Sequence, residues 1–351
     1  MRIAMIPTSN NGVVFFRMHQ YAEMMRKLGH SVCLPNYNFQ IPFDKGQPWQ
    51  DELDQNTVGL LGDLCDKADV VIWQMLRTRD ALNVFLEFKK AFKKPFLTEI
   101  DDYIIQLPRG HVSNVAYHMG SQLVDIGLRQ FVGSDGLIVS TPYLKKMYEQ
   151  YNANINVIEN CIDVSRWEAI SPRPPAEDIN IGWVGGGSHT PDLQLIKDVI
   201  LKMVERDDVR FTCMHGVPEF FKGHPKITAV TEYKNIMEYP QWVLGQHFDI
   251  GVAPLVDNDF NRSKSNLRWL EYSAQKIPTV ASNISHFRET ITHGKDGFLV
   301  DNQEEWFQFL TLLVENEKLR RKMGKKAFKT LRKRFDLKKV TKKYLRVLED
   351  L

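Results

Sequence analysis

A glycine-rich loop in the second half of the chain has the residue types that bind phosphate. A predicted strand at Asn180–Val184 leads into three glycines, and Thr190–Asp192 then has the pattern of a helix start. Glycines at a helix N-terminus leave backbone N–H groups unshielded, so an anion can approach them closely. The alternative is a tight turn without a ligand. The pattern predicts phosphate binding by four consecutive residues, Gly185, Gly186, Gly187 and Ser188.

A second polar loop follows the strand predicted to end at Leu255. The next helix is predicted to begin near Ser263 or Lys264, which leaves the backbone N–H groups of Ser265 and Asn266 at its free end. The Lys264 ammonium group lies beside them, and a charged donor next to free N–H groups suits a diphosphate. This loop is therefore predicted to bind the same ligand as the glycine loop, residues 185–188.

Glu271 lies about two turns into that predicted helix, on an otherwise apolar face. A carboxylate in such a place needs a polar partner, and a pair of ribose hydroxyls is a suitable one. The alternative is an ordinary helix glutamate that pairs with Arg268 or Lys276. The two loops and Glu271 together indicate a nucleotide site.

Two adjacent carboxylates, Asp101 and Asp102, follow a predicted strand of the first half. Open parallel sheets bind ligands at the C-terminal ends of their strands. Because neighbouring residues of an extended chain point to opposite sides, only one of the two aspartates can face the ligand directly, and we favour Asp102. A metal site formed by the pair is the alternative.

The elements that position these residues alternate along the chain, with apolar β-branched runs separated by amphipathic stretches. This pattern predicts parallel sheets with crossover helices, and 351 residues suit two α/β domains. Three prolines in Ser171–Asp178 cannot continue a helix or a central strand. We predict an N-terminal domain over 1–170, a linker over 171–178, a C-terminal domain over 179–330 and a crossover helix over 331–351.

Basic charge is concentrated near the C-terminus. Between Lys318 and Arg346 fifteen Lys or Arg stand against one acid, whereas the rest of the chain is acidic. Two amphipathic helices, Glu317–Arg334 and Leu337–Leu351, are predicted here. Their basic face suits weak contact of residues 318–346 with anionic lipid or nucleic acid, and a merely solvated face is the alternative.

The chain has neither a signal-like start nor a run of eighteen apolar residues, and its four cysteines are widely separated. These features predict reduced thiols in the core of a cytoplasmic protein, with peripheral attachment to a membrane surface left open.

The segment Lys264–Ser282 resembles the donor-site helix and strand of retaining GT-B glycosyltransferases, the large family that includes sucrose synthase and bacterial mannosyltransferases. Phe287–Val300 is similar to the closing segment of that family, and Ile158–Asp163 to the stretch before its interdomain linker. Leu97–Tyr103 resembles a stretch of phage and microbial glycosyltransferases. The order and spacing of these segments carry the resemblance.

The resemblance implies two Rossmann-like domains that face each other across a cleft, with a nucleoside-diphosphate sugar bound by the C-terminal domain and no metal or other cofactor. It implies that Glu271 binds the ribose and Lys264 the diphosphate, and that the loop with Gly12 faces the cleft and helps to bind the donor. The family usually has a glutamate where this chain has Ser263, and an Arg and a Lys after the first strand of the C-terminal domain.

We therefore predict the transfer of a sugar to an acceptor hydroxyl, with retention, in which Asp102, His189 and Lys264 are catalytic. His189 is predicted to lie near the anomeric leaving oxygen. The acceptor is left open between a glycan, a lipid-linked group and a modified base in DNA. Two different functions also suit the fold, a GT-B epimerase or phosphorylase and a non-catalytic binding module. Candidate contacts to the sugar or the acceptor are Arg17, Asp101, His111, Asp259 and Asn261.

Overall fold

The structure is a computed structural model, and it describes residues 1–8, 12–35, 55–105, 107–108, 118, 120–167, 178–186, 189–214, 216–232 and 235–351. Among these residues the strands form two separate sheets of six, and every pairing within them is parallel. Sheets of this kind carry helices on both faces, which explains the apolar strands of the sequence.

The first sheet has the strand order β2-β1-β3-β4-β5-β6. Its strands are β1 (Arg2–Ile6), β2 (Ser31–Cys33), β3 (Val70–Gln74), β4 (Phe96–Ile100), β5 (Gly136–Val139) and β6 (Ile155–Val157). A π-helical turn, Phe15–His19, separates the first two helices. The helices of this domain are α1 (Gly12–Val14), α2 (Gln20–Lys27), α3 (Gln55–Lys67), α4 (Arg79–Phe92), α5 (Gln122–Gly133) and α6 (Pro142–Tyr148).

The second sheet has the order β12-β11-β10-β7-β8-β9. Its strands are β7 (Ile179–Val184), β8 (Val209–Met214), β9 (Ile227–Val230), β10 (Ile250–Ala253), β11 (Thr279–Ser282) and β12 (Phe298–Val300). Short 3-10 turns lie at Val164–Trp167 and Glu219–Phe221. The helices are α7 (Thr190–Gln194), α8 (Lys197–Met203), α9 (Tyr239–Leu244), α10 (Asp259–Ser263), α11 (Leu267–Ala274), α12 (Ser285–Thr290), α13 (Gln303–Glu315), α14 (Glu317–Arg334) and α15 (Leu337–Glu349).

The last helix returns to the first domain, as the fold class predicts. A β-bridge joins Ile162 to Asp336, and α15 then packs on α2. Tyr344 is fully buried there, with its ring 5.4 Å from that of Tyr21. The predicted arrangement of two Rossmann-like domains with C-terminal helices that cross back is therefore confirmed. The predicted domain boundaries stay predictions, and linker residues 171–177 lie outside the described residues.

Several elements had no counterpart among the predicted helices and strands, and α3 and β9 are two of them. The sequence of α3 contains two glycines, which weaken a helix pattern. β9 lies at an edge of its sheet with every residue at least partly exposed, so it lacks an apolar run. Neither element carries a predicted site residue.

The described residues contain no helix long and apolar enough to cross a membrane. All four cysteines are free thiols, and three of them are buried as predicted. Cys33 is exposed because it lies in the short strand β2 at the edge of its sheet, so its assignment to the core was wrong. The cytoplasmic location stays a prediction.

Candidate active site

The glycine loop leaves the C-terminal end of β7, as predicted. Gly185 and Gly186 follow the strand directly, whereas Gly187 and Ser188 lie outside the described residues. His189 is the first residue after the gap and precedes α7, a helix of five residues. The structure therefore places His189 at the same end of the sheet as the glycines.

The imidazole of His189 is held by a buried carboxylate. Its Nδ1 lies 2.7 Å from Oδ2 of Asp192, whose Oδ1 accepts hydrogen bonds from the amide of Asn261 and the backbone N–H of Val256. Because this carboxylate accepts, His189 donates through Nδ1, which leaves its Nε2 as an acceptor. Burial and the nearby Arg268 guanidinium lower the pKa of His189 to about 4, so the ring is neutral near pH 7.

Asn261 was predicted to contact the sugar by its position alone. Its side chain is buried, and its amide group donates to Asp192 and to the carbonyl of Val256. In the structure Asn261 joins α10 to the start of α7. It therefore supports the loop around His189, and its contact with the sugar stays a prediction.

The helix that was predicted to begin near Ser263 or Lys264 in fact begins at Leu267, as α11. The short helix α10 precedes it, and Lys264 caps the C-terminus of α10. The predicted start was wrong because Lys264 has an extended backbone, with ψ of 145°, which separates the two helices. We call residues 264–266 the donor loop.

The donor loop still presents backbone donors. No described residue accepts a hydrogen bond from the backbone N–H of Ser265 or Asn266. The Asn266 side chain is fully buried and donates to Thr290, so its contact with a ligand would use the backbone. The hydroxyl of Ser265 accepts from Asn160 of the first domain at 2.7 Å.

Arg268, on the first turn of α11, lies at the glycine loop. Its Nε donates to the carbonyl of Val184 at 2.6 Å, and its guanidinium lies over the Trp183 ring. A Cβ on Gly185 would lie 2.7 Å from the Arg268 guanidinium, so glycine is required for this approach. Arg268 forms no ion pair with any described residue. Sequence reasoning treated it only as a partner for Glu271, because the two lie on one helix.

Glu271 is buried inside the C-terminal domain, with one oxygen accepting a hydrogen bond from the Tyr239 hydroxyl at 3.1 Å. Burial raises the pKa of Glu271 to about 7, against the opposing effects of Tyr239 and Arg268. Neither Arg268 nor Lys276 forms a salt bridge with this carboxylate among the described residues, so the alternative of a simple ion pair is not seen, and the role of Glu271 as a ribose ligand stays a prediction. Glu271 therefore keeps acceptor capacity for a ligand hydroxyl.

An ion pair crosses the cleft between the two domains. Nζ of Lys264 in the donor loop lies 2.5 Å from Oδ1 of Asp102, which follows β4 of the first domain. The two side chains are 22% and 38% exposed, so the pair lies at an accessible place. The structure therefore brings together two of the three predicted catalytic residues.

Asp101 directly precedes Asp102 in the chain and is half-buried. Burial, together with the carboxylates of Asp102 and Glu99, raises the pKa of Asp101 well above the usual range of an aspartate. Within the described residues no three His, Cys, Asp or Glu side chains come together as metal ligands. Independence from metal stays a prediction.

Arg17 was predicted to contact the sugar or the acceptor, and the structure places it in the core. The π-helical turn directs its fully buried side chain towards Glu99, at 2.6 Å. It also donates to Asn160, which in turn donates to Ser265. Hydrogen bonds thus connect Glu99 on β4, through Arg17 and Asn160, to Ser265 of the donor loop. Arg17 therefore helps to hold the donor loop in place.

The remaining predicted residues occupy different places. Asp259 is exposed on α10, where it accepts from the Tyr143 hydroxyl of the first domain at 2.8 Å. Gly12 is the first residue of α1, after the end of β1. His111 lies outside the described residues. Contacts between the two domains thus involve both α10 and the donor loop.

Taken together, these side chains form a cluster of charged and polar groups at the cleft between the domains. Lys264, Arg268 and the free N–H groups of the donor loop lie at one end of the second sheet, with Glu271 further along α11 and Asp102 opposite. Such a cluster can bind an anion with a polyol attached to it, since the cations match phosphate and the carboxylate matches hydroxyls.

A family model matches part of the C-terminal domain. Residues 267–330, which run from α11 into α14, match the model of glycosyl transferases group 1. No curated protein sequence matches the chain at a significant level. The match thus covers the helix that carries Arg268 and Glu271.

Solved structures share the fold over the whole chain. The Anabaena protein HepE, in complex with UDP-glucose, is 14% identical, with a TM-score of 0.71 and complete coverage of both chains. A glycosyltransferase from Rickettsia africae is 18% identical, with a TM-score of 0.68 over 99% of this chain and 98% of its own. An alpha-glucosyltransferase in complex with UDP and a 13-mer DNA containing an HMU base is 13% identical, with a TM-score of 0.70 over 99% of each chain. The predicted resemblance is confirmed, since the chain has the fold of the GT-B glycosyltransferases and its residues 267–330 carry the sequence pattern of glycosyl transferases group 1.

Proposed function

We propose that this protein transfers a sugar from a UDP-sugar to an acceptor hydroxyl. One observation carries the proposal: α11 brings Arg268 to the glycine loop and carries Glu271 one turn further on, while Lys264, just before this helix, meets Asp102 across the cleft. UDP is the nucleotide present in the complexes of both HepE and the alpha-glucosyltransferase. The diphosphate would lie between the two cations, and the ribose hydroxyls would donate to Glu271.

In this proposal the two cations stabilise the leaving diphosphate. Negative charge grows on its terminal oxygen as the bond to the sugar breaks, and positioned donors in a dry site offset that charge. Arg268 supplies the guanidinium that the glycine loop lacks, because α11 brings it to that loop. With two side-chain cations available, the reaction needs no metal ion. Retention is proposed from the family resemblance alone.

Asp102 positions the acceptor hydroxyl in this proposal, and the ion pair with Lys264 sets the order of binding. A diphosphate that takes Lys264 must replace Asp102 as its partner, which frees the Asp102 carboxylate to accept a hydrogen bond from the acceptor. The donor therefore binds before the acceptor. His189, neutral and with Nε2 as an acceptor, would meet a sugar hydroxyl or the leaving oxygen.

The Asp102→Asn variant is expected to bind UDP about two- to fivefold more tightly than the parent while it loses turnover. The gain reflects the ion pair that no longer competes for Lys264, since a partly exposed pair is worth about 0.2–1 kcal/mol. Isothermal titration with UDP measures it, and Asp198→Asn, which changes an exposed aspartate of α8 outside the candidate site, serves as the control. Unchanged or weaker UDP binding by Asp102→Asn would contradict the exchange of partners.

Stabilisation by nucleotides tests the donor site. UDP at a hundred times its dissociation constant is expected to add about 2.7 kcal/mol to the free energy of unfolding, because it binds the native state alone. Thermal unfolding with UDP, GDP, ADP and dTDP, each with and without its sugar, also identifies the base. If none of the four raises the melting temperature, the donor site is wrongly assigned.

A second candidate, a non-catalytic binding module, is favoured by Ser263, which stands where the family usually has a glutamate and is fully buried. Release of UDP from a UDP-sugar distinguishes the two. An enzyme of this class releases UDP slowly to water and faster with an acceptor, whereas a binding module shows stabilisation by UDP without release.

For the acceptor we propose a group attached to a polyanion, with a modified base in DNA as the specific candidate. The structural relative that holds DNA supports this candidate, as does the basic segment 318–346. A lipid-linked acceptor at an anionic membrane is the alternative. We also propose a cytoplasmic location, which the free cysteines fit.

A further inference from the structure

A basic groove lies where α14 turns into α15, away from the cleft. Its volume is about 320 Å³, and its lining contains four basic side chains and one aromatic ring: Phe328, Lys329, Arg332, Lys333 and Lys339. The first four lie on one face of α14 within two consecutive turns, and Lys339 comes from the first turn of α15. We call these five residues the basic groove.

The cations of the basic groove have no acidic partners among the described residues. Backbone carbonyls hold the ammonium group of Lys339 in place. Its Nζ donates hydrogen bonds to the carbonyls of Arg332 and Lys333, at 3.1 and 3.3 Å. The Phe328 ring has Arg332 5.9 Å from its centre. Positive charge is therefore concentrated at one place instead of being neutralised by surface ion pairs.

A fifth cation, Lys276, joins the basic groove from the C-terminal domain. Its Nζ lies 5.1 Å from the centre of the Phe328 ring. A Cβ on Gly324 would clash with the backbone carbonyl of Lys276, so α14 lies directly on this part of the chain only because residue 324 is glycine. The contact holds the face of α14 in one position relative to Lys276.

The basic groove is separate from the diphosphate site. Lys276 follows the C-terminal end of α11, whereas Arg268 lies on its first turn. A helix of eight residues is about 12 Å long, so the two groups of cations lie at opposite ends of α11. Five cations without acidic partners exceed what one phosphate neutralises, and they match a chain of phosphates.

The surface around the basic groove favours a nucleic acid over a membrane. A helix that binds a membrane gains much of its affinity from apolar side chains that enter the lipid. Among the described residues the exposed large apolar side chains all lie outside 318–346, and those of α15 are buried against α2. The basic face therefore offers charge with only one half-buried ring, that of Phe328, beside it.

We propose that the basic groove binds the phosphodiester backbone of a nucleic acid and so holds an acceptor that is part of that polymer. The identity of the acceptor rests on the proposed function, whereas nucleic-acid binding at this groove does not. Neutralising each phosphate releases counterions, so the logarithm of the affinity falls with the logarithm of the salt concentration, with a slope of about −0.9 per contact on duplex DNA.

The experiment compares two triple variants of the full-length chain. Lys329→Ala/Arg332→Ala/Lys333→Ala removes three charges from the groove. Lys318→Ala/Arg321→Ala/Lys322→Ala removes three charges from exposed positions earlier on the same helix. Fluorescence anisotropy with a labelled DNA duplex is measured at about 50 and about 200 mM salt, together with thermal unfolding with and without UDP.

The groove variant is expected to lose at least about tenfold in affinity at low salt and to have a salt slope smaller by about 2–3, whereas the control loses less than about threefold. The exposed pair Lys329→Glu/Lys333→Glu gives a second variant that keeps Arg332 against Phe328. Equal loss of affinity in the two triple variants would overturn the proposal that the basic groove binds the nucleic acid. The same conclusion would follow from binding to phosphatidylserine vesicles without binding to DNA, or from the absence of DNA binding at low salt.

The UDP measurement separates this proposal from the proposed function. Stabilisation by UDP in both triple variants shows that each is folded with an intact donor site. DNA binding without any effect of UDP would refute UDP as the donor nucleotide and leave nucleic-acid binding at the groove supported. Stabilisation by UDP without DNA binding would support the donor site and refute nucleic-acid binding at the basic groove.

Discussion

Lys264→Ala is expected to lower turnover about a hundred- to a thousandfold, with a much smaller change in KM. Lys264 is the first residue of the donor loop. Its ammonium group can interact more strongly with the leaving diphosphate as negative charge grows there. An interaction that strengthens in the transition state lowers kcat when it is lost, whereas uniform binding changes KM alone. Steady-state kinetics of UDP release with a UDP-sugar measures both quantities.

Two matched variants complete this test. Lys295→Ala removes a charge from an exposed loop of the same domain and is expected to leave both constants unchanged. Arg268→Ala removes the second cation, which is fixed by the carbonyl of Val184 and so acts on bound diphosphate from the start. It is expected to weaken UDP binding more than Lys264→Ala does. A raised KM with normal turnover in Lys264→Ala would reduce this lysine to simple ground-state binding.

Glu271→Gln is expected to weaken UDP binding by about 1–3 kcal/mol, which is about five- to a hundred-and-fifty-fold. The ribose hydroxyls donate best to an ionised carboxylate, and the pKa of Glu271 is raised to about 7 by burial. Affinity for UDP in the parent should therefore rise as pH increases through about 7, and the variant should lose that part of the dependence. Titration with uridine, which lacks the diphosphate, isolates the effect.

The same pKa shift determines the effect of Glu271 on stability. Since the folded-state pKa lies above the ordinary glutamate value of 4.5, the folded state binds more protons than the unfolded chain between about pH 4.5 and 7. The contribution to the free energy of unfolding is therefore lost as pH rises through that range. Glu271→Gln should not reduce stability at pH 8, and a variant that unfolds there would indicate a structural role.

The pattern of strands and helices could be predicted because it depends on local periodicity and composition. Parallel strands that are buried on both faces consist of continuous apolar residues, whereas amphipathic helices have apolar residues at a period of about 3.6. Both sheets could therefore be recognised in the sequence. The donor loop and Glu271 were recognised because their order along the chain matches a family pattern. The start of α11 was missed because the extended backbone of Lys264 has no signature in the residue types.

The roles of individual polar residues depended on the tertiary structure. Arg17 and Asn261 look like site residues because they are polar and follow strands, but each has a partner far away in the chain, Glu99 and Asp192. Arg268 looked like a partner for a neighbour on its own helix, whereas folding brings it to the glycine loop. One sequence cannot show such contacts, since burial and distance are set by the packing of separate elements.

By itself the sequence determined the fold class and the excess of basic charge at the end, and it predicted the place of a nucleotide site, because each follows from residue types in local order. Only the tertiary structure decided which charges are available. Asp102 and Lys264 are far apart in the chain, yet they meet across the cleft, and Lys276 joins four residues of α14 and α15 in the basic groove. An electrostatic interaction depends on distance and on exposure to water, and neither is a property of local sequence.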